Sequence, residues 1–312
     1  MTFTLLAAGC GLDNPFFPNK ESSSAFSSCA TLDAPDGVVW APKLSANDRD
    51  ALRIAFSITG SYEGASGWSN LSSDFDGQGV SLGIMSQSLG KGTLEPLLIK
   101  MRDNHRAVLE RTFTATQLSS LLGMLGKWES TKALPASLRE LASLEAQAVE
   151  AYTASAANAE AATWARNTLY ASGQFIPEWA TALRALAETP EYVSLQIDAA
   201  TAYHDQARNY MKKTSTGQLR AYLTFFDLVI QNGGLTDKDE ADYKTYLQET
   251  PYATEEARLN MAVALRVRWV KPEFAEDVKS RKHAIINGKG QVHGTLRDLE
   301  REYCFNRQVF YP

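Results

Sequence analysis

The chain has 312 residues, 44% hydrophobic and 10% aromatic, enough to bury a substantial core, so disorder over most of its length is excluded. Its 31 lysines and arginines stand against 36 acids, and the formal net charge of −5 with no basic block argues against nucleic-acid binding and suits a polycationic partner. No apolar run approaches the ~20 residues of a transmembrane helix, and His105, His204, His283 and His293 are too scattered to hold a metal, so neither a membrane span nor a metal or cofactor is expected.

Residues 1–45 read as an irregular arm. Leu6-Ala7-Ala8-Gly9-Cys10 resembles a bacterial lipobox, in which the cysteine is acylated, although the basic n-region is missing and the apolar run is very short. Asn14 to Pro18, the serine-rich stretch from Glu21 to Ser28, and Asp33 to Gly37 follow as turn signals. If Cys10 carries lipid, Cys29 and Cys304 remain as an even pair able to form one disulfide in an oxidising compartment.

Ser45 and Asp48 form an S-x-x-D start for a helix over Asp48 to Tyr62. Leu52, Phe56, Thr59 and Glu63 share one face of it, which turns Glu63 toward the core. Desolvation there predicts a raised pKa and a general acid. Asp76 follows in the polar turn Asp76-Gly77-Gln78-Gly79, where a carboxylate stays ionised and can serve as a base; Asp74 is the alternative for that role. Two carboxyls in unequal environments are what glycoside hydrolysis requires. Trp68 lies in the loop between them and is a candidate for stacking on a sugar.

Short strands are expected around Val80–Met85, and helices thereafter. These are Leu94–Met101, Thr116–Trp128, an alanine-rich run Leu138–Leu169 opened by Pro135, and Pro177–Leu186. Tyr192–Met211, Gln218–Ile230, Asp237–Gln248 and Glu255–Val270 complete the series. Asn232-Gly233-Gly234 ends the most strongly amphipathic of them. A loop-rich section closes the chain. Trp128, Trp164, Trp179 and Trp269 read as core residues, and Gly90-Lys91-Gly92 is too sparse to be a phosphate loop. The fold class is therefore mainly α with a short β region.

Glu63, followed by Asp76-Gly77-Gln78-Gly79-Val80-Ser81-Leu82-Gly83-Ile84, resembles the catalytic region of the glycoside hydrolase family 46 chitosanases, members of the lysozyme-like superfamily. There a helix-end glutamate is the acid, the aspartate of D-G-R-G-Y-T-x-G-I-I is the base, and the threonine helps hold the attacking water. The resemblance assigns these roles to Glu63, Asp76 and Ser81, with Gln78 in the arginine position and Val80 in that of the tyrosine. Trp68, Asp74 and Gln78 become candidate substrate contacts.

Gly217-Gln218-Leu219-Arg220-Ala221-Tyr222-Leu223-Thr224-Phe225-Phe226-Asp227 is similar to the family's G-Q-F-A-Y-Y-D helix. That similarity implies a buried charge network behind the acid, formed by Asp227 with Arg266 or Arg281. It spans about residues 46–295, and only these two regions are specific. It implies a two-lobed α+β lysozyme-like domain over 46–312 with a substrate cleft, and an inverting hydrolase of β-1,4-linked amino-sugar polymers, chitosan or deacetylated peptidoglycan.

Ser81-Leu82-Gly83-Ile84-Met85-Ser86-Gln87 also resembles the S-x-G-L-M-Q run of goose-type lysozymes and lytic transglycosylases. A peptidoglycan muramidase or transglycosylase, in a phage tail or at a cell surface, therefore stays open, as does a non-catalytic wall-binding domain. Each of these implies a polysaccharide partner and a place outside the cytoplasm or in a phage particle.

Overall fold

A computed structural model describes residues 34–64, 67–133 and 146–311, together with Cys29 and Leu32. The lipobox at Cys10 and the helix start at Pro135 lie outside these residues. Twelve helices are described, in chain order α1 (Ala46–Glu63), α2 (Glu95–Asn104), α3 (Arg106–Thr112), α4 (Ala115–Lys132), α5 (Ala146–Thr168), α6 (Pro177–Ala187), α7 (Pro190–Thr214), α8 (Leu219–Asn232), α9 (Asp237–Glu249), α10 (Glu255–Val267), α11 (Pro272–Asn287) and α12 (Leu299–Tyr303). The strands are short. β1 (Leu71–Ser72), β2 (Ser81–Leu82) and β3 (Gln87–Ser88) form one antiparallel sheet, while β4 (Tyr170–Ala171) with β5 (Gln174–Phe175) and β6 (Lys289–Val292) with β7 (Thr295–Asp298) form two hairpins.

Two apolar cores divide the chain. The first gathers Leu52 and Phe56 of α1, Tyr222, Phe225 and Phe226 of α8, Leu259 and Val263 of α10, and Ile285 and Ile286 of α11. The second gathers Leu97 and Met101 of α2, Leu109 of α3, Leu121 and Trp128 of α4, Ala161 of α5 and Leu186 of α6. Helix α7 serves both, with Tyr192 in the second core and Val193 and Ile197 in the first. Its 25 residues give a rod of about 38 Å, long enough to run through both. The small sheet lies where the cores meet, because Leu82 belongs to the second and Ile84 to the first.

Helix α8 is buried on every side from Leu219 to Val229, the pattern of a helix at the centre of a core. A helix start so enclosed must satisfy its orphan N–H groups within the protein. The Glu255 carboxylate accepts from Gly217 and Gln218 N–H, and the carbonyls of Val309 and Arg307 accept from Leu219 and Arg220. At the other end Gly233 takes φ 76°, a left-handed cap that glycine adopts freely.

Ser45 caps α1 in a full capping box with Asp48, as the sequence indicates. The section expected to be loop-rich contains α11, the β6–β7 hairpin and α12. On α11 the inward face is Val278, Arg281, Lys282 and Ile285, all buried. Two cations occupy apolar register positions, and this hides the amphipathic period. Cys29 and Cys304 are joined by a disulfide, which ties the N-terminal arm to the end of α12.

Candidate active site

Glu63 is the last residue of α1. The chain then doubles back so tightly that a Cβ on Gly64 would lie 2.0 Å from Asn70 Oδ1, and Asn70 Nδ2 donates to the Glu63 carbonyl (3.1 Å). Asn70 leads into β1, and its carbonyl accepts from Gly83 N–H (2.8 Å) beyond β2. The fully buried Gln196 of α7 accepts from Ile84 N–H (2.9 Å) and donates to the carbonyls of Trp68 and Ala187. One side chain of α7 thus ties together the turn after α1, the turn beyond β2 and the end of α6.

The Glu63 carboxylate, with its side chain 23% exposed, lies 2.8 Å from Arg281 Nη1. The guanidinium reaches on through Nη2 to Asp227 Oδ1 at 2.7 Å, and Lys282 Nζ lies 2.6 Å from Asp227 Oδ2. Lys282 also donates to Gln231 Oε1. The Arg281 guanidinium stands 4.8 Å above the Tyr62 ring. Burial by itself would raise the Asp227 pKa, but the charges of Arg281 and Lys282 outweigh it and hold this carboxylate well below the usual range. Burial pushes Lys282 down to about 8 against the pull of Asp227. The environment expected of Glu63 is corrected: its carboxylate faces a guanidinium rather than an apolar wall.

Arg266, proposed from sequence as a partner of Asp227, instead donates through Nη2 to the Asn232 carbonyl at the end of α8 (2.6 Å). Lys282 takes the second cation's place, because Arg281 and Lys282 lie side by side on the buried face of α11. Sequence reading missed Lys282 and Gln231. The available signal was a pair of cations in register with Val278 and Ile285.

The loop from β1 to β2 carries both candidate bases. Asp74 Oδ1 accepts from Gly79 N–H (2.5 Å), and Oδ2 is 3.5 Å from Arg166 of α5. Tyr170 donates to the Gly79 carbonyl (2.7 Å), and burial, followed by the Asp74 charge, pushes this phenol up to about 12. Gly79 at φ 80° packs so closely on α5 that a Cβ would lie 2.8 Å from Ala162 Cα. Asp74 therefore closes the loop. Asp76 is exposed and accepts from Gln78 N–H (3.2 Å). Phe75 between them is 83% exposed, an aromatic surface that the sequence reading did not single out.

Ser81 is buried on the central strand, in register with Ser72 and Ser88. Gln78 is half-buried, with its Oε1 enclosed against Gly90. Trp68 is corrected as a substrate contact. It is 7% exposed, and its ring meets Phe56 edge-on at 5.5 Å within the first core, so no face is free for a sugar.

Among the described residues no helix is long and apolar enough to cross a membrane, and no group of three or more His, Cys, Asp or Glu could hold a metal ion. In comparisons with family models, curated proteins and solved structures the chain finds no match.

Proposed function

We propose that this protein is an inverting glycoside hydrolase acting on β-1,4 linkages of an amino-sugar polymer, chitosan or deacetylated peptidoglycan. The observation that carries this reading is the Arg281 bridge between Glu63 and Asp227. A carboxylate at a helix end, partly open to solvent, is backed by a guanidinium that has a second, fully buried partner. When a sugar enters and strips water from Glu63, Arg281 can shift its weight to Asp227. Glu63 is then released to carry a proton.

In this mechanism Glu63 gives that proton to the glycosidic oxygen as the C1–O bond breaks. Asp76 takes a proton from the water that forms the new bond to C1 from the opposite face. Ser81 helps hold that water, and the exposed Phe75 offers a face to the polymer. The Cys29–Cys304 bond supports a site of action outside the cytoplasm, where disulfides persist.

One observation favours a second reading, a muramidase or lytic transglycosylase of peptidoglycan. Arg166 stands beside the acidic loop, where it would meet the carboxylates of a peptide-bearing wall polymer better than glucosamine ammonium groups. The test is a zymogram of wild type and Glu63→Gln on chitosan, chitin and peptidoglycan. Removing the general acid lowers the rate by about 10²–10⁴-fold. Equal clearing by the two proteins on every polymer overturns the enzymatic reading.

A further inference from the structure

The charge network does not stop at Lys282. Gln231, which accepts from Lys282, donates through Nε2 to Asp277 Oδ2 (2.7 Å). Asp277 Oδ1 in turn lies 2.7 Å from Nε2 of His293, at the tip of the β6–β7 hairpin. A continuous chain of contacts runs from Glu63 through Arg281, Asp227, Lys282, Gln231 and Asp277 to His293.

A second route closes the ring. The His293 imidazole meets the Tyr62 ring edge-on at 6.4 Å, and Tyr62 lies under the Arg281 guanidinium beside Glu63.

The backbone adds an independent observation. His293 has φ 51° and is followed by Gly294 at φ 76°, the left-handed pair of a tight hairpin turn that favours Asn, Asp or Gly at its first position. A histidine there carries a backbone cost, and burial does not offset it, since its side chain is 51% exposed. The two contacts of the imidazole are what the position provides.

We propose that His293 is a positioning residue for Glu63. By docking the hairpin on Asp277 and Tyr62, it fixes Gln231 and Lys282, and through them the share of Arg281 that Glu63 receives. The groups set against it are Asp277 of α11 and the Tyr62 ring of α1, and that ring also carries Arg281 of α11 and Arg297 of β7. Arg297 is held by Glu302 and also stands over Tyr62, at 5.6 Å, so the hairpin presses on that ring from two points.

The coupling itself rests on geometry alone. Its consequence for turnover rests on the glycosidase reading above.

The experiment follows the Glu63 carboxyl by ¹³C NMR through a pH titration of the full chain, its signal assigned by loss in Glu63→Gln. His293→Ala and Asp277→Asn each move the Glu63 midpoint upward by at least about 0.3 pH units, because a looser network grips the charged form less. His293→Gln, whose amide can still donate to Asp277, restores most of it. An unchanged midpoint in folded His293→Ala and Asp277→Asn overturns the proposal, even if the hairpin amides lose protection from exchange.

If wild type and Glu63→Gln degrade polymers equally, the enzymatic reading fails, while the midpoint shift still decides the coupling. If the enzyme is active, His293→Ala lowers kcat with KM unchanged. A raised KM at constant kcat would make His293 a substrate contact and overturn the positioning role.

Discussion

Asp227 presents Oδ1 to Arg281 at 2.7 Å in a part of the core where the carboxylate has no solvent exposure. A charge without solvent depends wholly on its partners, and here Arg281 takes one oxygen and Lys282 the other.

Asp227→Ala leaves both cations buried without their shared anion and costs about 3–5 kcal/mol, read from urea unfolding. The pH dependence has a definite sign. Because the folded-state pKa of Asp227 lies below 3.8, its contribution is fully present above that value and is lost as pH falls through the folded pKa. The stability gap between wild type and Asp227→Asn therefore narrows in acid. A gap independent of pH would show that the pair is not ionised.

Glu95 behaves in the opposite way. It is fully buried at the first turn of α2, and burial pushes its pKa from 4.5 up to about 8 against the opposing pull of the Glu95 and Leu94 backbone N–H groups. The folded state keeps the proton that the unfolded chain loses. Its contribution is full below pH 4.5 and is lost as pH rises toward about 8. Glu95→Gln, which cannot ionise, removes this slope. Parallel stability–pH curves for wild type and Glu95→Gln would reject a neutral Glu95.

Asp74 and Asp76 separate by mutation. Asp76→Asn removes the proposed base and lowers turnover by about 10²–10⁴-fold with the fold intact. Asp74→Asn weakens the closure of the loop on Gly79 and Arg166 and shows in stability and KM. Full activity of Asp76→Asn beside an inactive Glu63→Gln moves the assignment to a transglycosylase, which needs no base for water.

Cys29→Ser, compared with wild type under oxidising conditions, or reduction of the Cys29–Cys304 bond costs about 2–5 kcal/mol in unfolding experiments. Detection of two free thiols in the native, oxidised protein would contradict the bond.

Much of the fold was legible in the sequence, for local reasons. The start of α1 is written in Ser45 and Asp48, the end of α8 in Gly233, and most helices in the spacing of their apolar residues. These are properties of neighbours along the chain. Asp227 could be named from its place at the edge of an apolar face, where an acid implies a buried partner, while Arg281 is reached, beside Arg266, only through the resemblance.

What only the tertiary structure decided concerns residues whose chemistry and burial disagree. Lys282 looks like a surface residue and is core. Trp68 looks like a platform for a sugar and is packing. Arg266 could have joined the network and instead closes a helix end. Composition assigns a lysine or arginine to solvent because burying an unpaired charge is costly. That rule yields once the fold brings a carboxylate from α8 against α11, and no spacing along one helix records that a partner from another will arrive.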